Sequence, residues 1–159
     1  MLQEHKSVKE MWGNYLMSIG HDIVNTNKKY ISWHFCDNEK DANNLAELVK
    51  QGIKRATTGL YYLYEIEGDA LPKEGDLSII IDWQGKAQCI IETKKVTILP
   101  FKKVTEEFAK IEGEGDKSLK YWQEAHINAF SRHLKNYKMK FSEDMLVVCE
   151  EFETVYKCS

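Results

Sequence analysis

Two apolar runs joined by a three-residue connection leave the chain little freedom over residues 77–99. Leu77-Ser-Ile-Ile-Ile-Asp-Trp83 has the β-branched, apolar character of a strand. Gln84-Gly85-Lys86 reads as a tight hairpin connection. Ala87 to Leu99 returns as a longer β-branched strand, which Pro100 ends because proline cannot donate to a ladder. Around this hairpin the pattern changes period. Val8, Met11, Trp12, Tyr15, Leu16 and Ile19 have helical spacing over residues 5–19, and Gly20 closes that helix. Trp33-His-Phe35 reads as a short strand. Asp41 is the expected cap of a second helix with Ala42, Leu45, Ala46, Leu48 and Val49 on its apolar side, and Gly52 stops it. Leu60 to Tyr64 is apolar but fits helix and strand equally, and Leu71 to Asp76 is a turn. Val104, Phe108 and Ile111 are spaced as a helix, Ser118 to Tyr137 as the longest one, and Met145 to Tyr156 as a closing strand. A central hairpin with strands at both ends and helices between predicts an α+β fold, a small barrel-like sheet with flanking helices.

At 159 residues the chain has the size of one domain. Its net charge of −3 argues against tight, nonspecific binding to phosphates, since lysines are interleaved with Asp and Glu instead of gathered in a stripe. A local basic cleft stays open. Cys36, Cys89, Cys149 and Cys158 have no C-x-x-C spacing, which removes zinc-ribbon and redox-motif readings. Cys89 and Cys149 lie inside apolar runs and read as small core residues. No apolar stretch approaches the ~20 residues of a membrane span, and no signal-peptide pattern is present. The expected setting is a reducing cytoplasm, with no membrane partner.

The segment Gly52-Ile-Lys54-Arg55-Ala-Thr57-Thr58-Gly59 is where chemistry is most concentrated. A lysine three residues before a hydroxyl, at a helix exit, suits a base and nucleophile pair; it is also an ordinary way to leave a helix. Lys54 and Thr57 can cooperate only if the backbone turns there, because side chains three apart on a straight strand face opposite ways. A solvated or cleft lysine at this position would carry little stability. Glu92 interrupts the apolar strand at Ile90-Ile91-Glu92, so its carboxylate either faces water or needs a partner. The acidic loop Glu112-Gly-Glu-Gly-Asp116 lacks the spacing of an EF-hand, and its glycines suit a turn with Asp116 or Ser118 capping the next helix. His126 lies four residues from both Trp122 and Phe130, on the apolar stripe of the long helix. Tyr61, Tyr62, Tyr64, Trp83 and Trp122 can serve as core or as a stacking surface for a base.

Taken in order, the Gly52-x-Lys54-x-x-Thr57 run, the Gly75-Asp76 turn and the Cys89-Ile-Ile-Glu92-Thr93 strand resemble the ASCH domain, a relative of the PUA-like barrels. Pro100-Phe101, Phe108-Ala109, Glu112-Gly-Glu-Gly-Asp116, Ser118-Leu119, Trp122 and His126 are similar to the signature of that family's larger bacterial branch. The resemblance covers residues 33–156 and leaves 1–30 as a helical extension of a single domain, 1–159. It implies a PUA-like barrel with a cleft that contacts RNA or modified nucleosides. Some compact bacterial members are amidohydrolases that remove the acetyl group of N-acetylated cytidine, and others are linked to RNA cleavage. Those amidohydrolases are shorter and lack the Glu-Gly-Glu-Gly-Asp segment. The positions here that match their working residues are Lys54, Thr57 and Glu92, with Arg55, Thr58, Asp116, Trp122 and His126 framing a substrate; no metal or cofactor is implied. The expected function is binding, with or without hydrolysis, of a modified nucleoside or related amide. A noncatalytic RNA-binding module is the alternative, and a ribonuclease is disfavoured by the acidic balance.

Overall fold

A computed structural model describes residues 3–158; residues 1, 2 and 159, the ends of the expected domain, lie outside the described residues. In chain order the elements are α1 (Lys6–Ser18), β1 (Ile31–Trp33), α2 (Glu39–Lys50), β2 (Ala56–Leu60), α3 (Tyr61–Glu67), β3 (Leu77–Ile81), β4 (Ala87–Pro100), α4 (Glu106–Glu112), α5 (Leu119–Lys135) and β5 (Leu146–Lys157). A 3₁₀ turn, Phe101–Lys103, links β4 to the segment before α4. Strand order in the sheet is β1-β3-β4-β5-β2. β1 runs parallel to β3, while β3–β4 and β2–β5 are antiparallel. The α+β, PUA-like expectation is met.

The chain forms two compact units, one of Met1–Ile53, Gly75–Thr93 and Phe152–Ser159, the other of Lys54–Glu74 and Lys94–Glu151. In the first, β3 and the Cys89–Ile91 part of β4 are buried on both faces. Leu77, Ile79 and Ile90 meet Val8, Met11, Trp12 and Leu16 of α1. Ile80, Cys89 and Ile91 meet Phe35, Ala46 and Val49 on the other side. Two-sided burial is why these strands read as continuous apolar runs instead of alternating ones. The hairpin turn is held by Asp82, whose N–H donates to Lys86 O at 2.9 Å, with Gly85 at φ 89.

In the second unit Phe101, Phe108, Trp122, Phe130 and Leu134 pack with Ala56 and Leu60 of β2 and Val147 and Cys149 of β5. Leu60 to Tyr64 divides at one residue: Leu60 ends β2 and Tyr61 starts α3. Gly59 admits the Tyr64 ring here, since a Cβ would lie 2.7 Å from it.

Two expected boundaries move. The first strand is Ile31–Trp33, because those residues pair with Ser78–Ile80 and Phe35 turns into the core. The cap of α2 is Asn38, not Asp41: the Asn38 side chain accepts from Asp41 N, and Asp41 sits in the first turn. All four cysteines are free thiols; Cys89 and Cys149 are buried, and burial pushes both up to about 12. Among the described residues no helix is long and apolar enough to cross a membrane.

Candidate functional site

The second unit gathers charge around Lys54. The chain leaves α2 through Gly52 at φ 76, and the Arg55 N–H donates to Ile111 O at 2.9 Å, which ties the start of β2 to the end of α4. Lys54 is thereby carried inward and is only 1% exposed. Its ammonium donates to Ala56 O at 2.7 Å, Glu114 Oε2 at 2.9 Å and Glu112 Oε2 at 3.5 Å.

Glu112 is the hub. It is the last residue of α4, three and four residues after Ala109 and Phe108, so it lies on that helix's buried side. Oε1 accepts from the Thr58 hydroxyl at 2.6 Å and from Trp122 Nε1 at 2.7 Å. Oε2 takes His126 Nε2 at 2.9 Å as well as Lys54. Four donors on one carboxylate are the full complement for an ionised group. Burial opposes that charge, but the Lys54 and His126 cations beside it bring Glu112 well below the usual carboxylate range.

His126 is read from its partners. Nδ1 lies 2.8 Å from the Trp122 carbonyl, which only accepts, and Nε2 faces the ionised Glu112. Both nitrogens must carry hydrogen, which makes the ring an imidazolium. Burial works against this, yet the Glu112 charge and the hydrogen bonds to Glu112 and Trp122 raise His126 above its ordinary value. The ring stacks on Trp122 with centroids 4.4 Å apart.

Glu114 completes the cluster from a different position. It stands between Gly113 and Gly115, at φ 74 and 57, and is 22% exposed where Lys54 and Glu112 are 1%. Burial raises its carboxyl, opposed by Lys54 and assisted by the neighbouring Glu112. Oxygen and nitrogen ligand atoms of Glu112, Glu114 and His126 lie within 4.8 Å of one another, as a metal site would need. Here Lys54 supplies the cation and His126 Nε2 is already protonated, so the donor set suits a salt-bridge network better than a metal.

The predicted residues divide. Lys54, Thr58, Trp122 and His126 meet in this cluster. Thr57 does not stand with Thr58: β2 is extended there, so no turn brings Thr57 back to Lys54, and it projects to the other face, paired with Glu150. Glu92 is half-buried on β4 opposite Leu77, in the first unit. The Arg55 side chain is exposed. Asp116 is a loop residue, accepting from Ser118 N at 2.8 Å while Ser118 caps α5. The expected turn and cap are therefore found at Asp116 and Ser118, with Ser118 as the cap. Glu112 and Glu114 are site residues beyond the sequence expectation; for Glu112 the available signal is a carboxylate on the apolar side of a helix, and for Glu114 there is none.

A cavity of about 320 Å³ lies in the same unit, with Leu99, Phe108, Ile111 and Cys149 on its walls and Lys95 and Glu151 among its polar lining. Cys149 is the register partner of Thr58, which places cavity and cluster on one face of β2–β5.

This combination of fold and charged cluster defines a class. The model of the ASCH domain family matches residues 31–156, and the chain belongs to that family, whose members are generally thought to bind RNA. It is similar to the ASCH domain from Lactobacillus crispatus JV V101, at 38% identity over 98% of both chains, with a TM-score of 0.89. Protein EF3133 from Enterococcus faecalis V583 is also 38% identical, over 96% of this chain and 90% of its own, with a TM-score of 0.83. No curated protein matches the chain.

Proposed function

We propose that the protein binds an N-acylated pyrimidine nucleoside, with N-acetylated cytidine as the reference compound, at the Lys54 cluster and hydrolyses its amide. The observation that carries this reading is a lysine 1% exposed, held between two carboxylates of which one, Glu114, reaches solvent. Burying charges costs stability, and functional sites are where such clusters concentrate. Lys54 is surrounded by acceptors, so its role is an ammonium that stabilises charge developing on the acyl oxygen, not a base. The cavity beside Cys149 supplies a seat of suitable size for the base, on the Thr58 side.

Two hydroxyls compete for the attack. The family resemblance implies Thr57, which projects to the other face of β2 from Thr58; the cluster favours Thr58, already 2.6 Å from Glu112. Either way a bond forms from the threonine oxygen to the acyl carbon as the amide C–N bond breaks, the hydroxyl proton passes to the leaving amine nitrogen, and water then cleaves the acyl–threonine ester to release acetate and restore the hydroxyl. Four free thiols suit the cytoplasmic setting this reading implies.

A second reading, a noncatalytic RNA-binding module, is favoured by Glu112 itself: its acceptor positions are filled, as in a structural hub. Binding at increasing salt separates the two. Nucleoside affinity should be nearly flat, whereas affinity built on phosphate contacts falls with a slope of about −0.7 per contact for single strands. Steep RNA binding with no affinity for any nucleoside in a panel of acylated and free cytidines would move the assignment to the second reading.

A further inference from the structure

We propose that Glu114 is a displaceable cap on Lys54, occupying the ammonium until the acyl oxygen of a ligand takes its place. The proposal rests on the nucleoside reading for the identity of that ligand, but its geometry stands alone. Lys54 and Glu112 are each 1% exposed, and Glu114, at 22%, is the carboxylate of the cluster nearest solvent. A ligand oxygen approaching Lys54 competes first with Glu114 Oε2, which is 2.9 Å from Nζ.

The backbone on either side of Glu114 is glycine. α4 ends at Glu112, and Gly113 follows in the left-handed region as the cap of that helix. Gly115 is left-handed too, so one residue hangs between two glycines outside any helix or strand. The loop has a defined closed seat: a Cβ on Gly115 would lie 2.4 Å from the Tyr121 ring, and Lys117 N donates to Glu114 O at 3.0 Å.

Charge gives the chemical class of the occupant. The groups facing Glu114 are Lys54 from the start of β2, Glu112 from α4 and His126 from α5. With Glu114 ionised, two cations face two anions. With Glu114 withdrawn, one positive charge is left over, and the vacated position favours an oxygen acceptor that is anionic or becoming so. An acyl oxygen developing negative charge meets that need. Burial already raises the Glu114 carboxyl, which lowers the cost of losing its ion pair.

The test uses acetate, the acyl fragment alone, beside N-acetylated cytidine. The reporter is the Trp122 indole Nε1–H resonance, because that group donates to Glu112 at 2.7 Å; Trp122→Phe assigns the signal. Acetate should shift it saturably in Glu114→Ala at a concentration about ten- to a hundred-fold lower than in wild type, the scale of one hydrogen bond to a charged group. Glu114→Gln, which keeps the shape, should fall between and covers the case in which the alanine variant melts early. Equal response of wild type and both variants to acetate overturns the cap. If the acetate responses separate while the nucleoside binds none of them, the cap stands and the nucleoside reading fails. If the nucleoside binds wild type and the variants alike, the reading survives and the cap is overturned.

Discussion

Glu112 brings Thr58, Trp122, His126 and Lys54 to one carboxylate, and the contact with His126 fixes a protonation state as well as a position. The pH dependence follows from the directions of the shifts. His126 in the folded chain titrates above 6.5, so the stability its charge brings is complete below pH 6.5 and is lost as pH rises through the raised value. Glu112 is held below 4.5, so its contribution is complete above pH 4.5 and is lost as pH falls through the lowered value. Glu114 is raised above 4.5, so the stability its protonated form brings is complete below pH 4.5 and is lost as pH rises through the raised value. Melting temperature should fall as pH is raised from about 6 to 9, and His126→Gln should remove most of that fall. An identical decline in the variant would contradict the imidazolium assignment. At this scale the sequence shows Lys54 as a candidate, but not that it is buried, because nothing within five residues of it reveals the acidic partners 58 and 60 positions away. The choice between Thr57 and Thr58 is likewise hidden, since it depends on the pairing of β2 with β5.

The elements differ in how much of their cause is local. β3 and the first half of β4 are legible because both faces are buried around Ile79–Ile80 and Cys89–Ile91 and the connecting Asp82–Lys86 turn is built from its own side chain: Asp82 Oδ1 accepts from Gln84 N at 3.0 Å and Lys86 N at 2.9 Å. β1 is three residues long and exists only as a parallel partner of β3, so its limits are set by residues more than 40 positions later. The start of α2 offers two candidate caps, Asn38 and Asp41, and composition does not choose between them. The geometry does: Asn38 Oδ1 accepts from Asp41 N at 2.9 Å. Asn38→Ala should therefore cost about 1 kcal/mol of stability, read by chemical denaturation, and Asp41→Ala only a few tenths. Equal losses, or a larger one at Asp41, would place the cap at the other residue.

For the whole molecule, the order of motifs from Gly52 to His126 was enough to indicate the ASCH family, because each short motif is weak but their sequence along the chain is specific. The site was only half visible. Lys54, Thr58, Trp122 and His126 are legible as candidates, whereas Glu112, at the end of α4, and Glu114, in the loop after it, belong to a segment whose glycines suggest a turn and nothing more. Burial of Lys54 also changes how its role must be tested. Removing one partner of a buried ion pair costs about 3–5 kcal/mol, so Lys54→Ala would confuse folding with chemistry. Lys54→Met keeps the stem and removes the charge, and thermal melting identifies the conditions under which it is folded. The most direct measurement is turnover of N-acetylated cytidine by wild type and folded Lys54→Met, with Thr57→Val, Thr58→Val and Glu92→Gln alongside. Measurable deacetylation by wild type is required, with a loss of about 100- to 1,000-fold in Lys54→Met, the usual effect of removing one donor to a developing oxyanion. A well-folded wild type without turnover, or a Lys54→Met variant that works as well, would contradict the account.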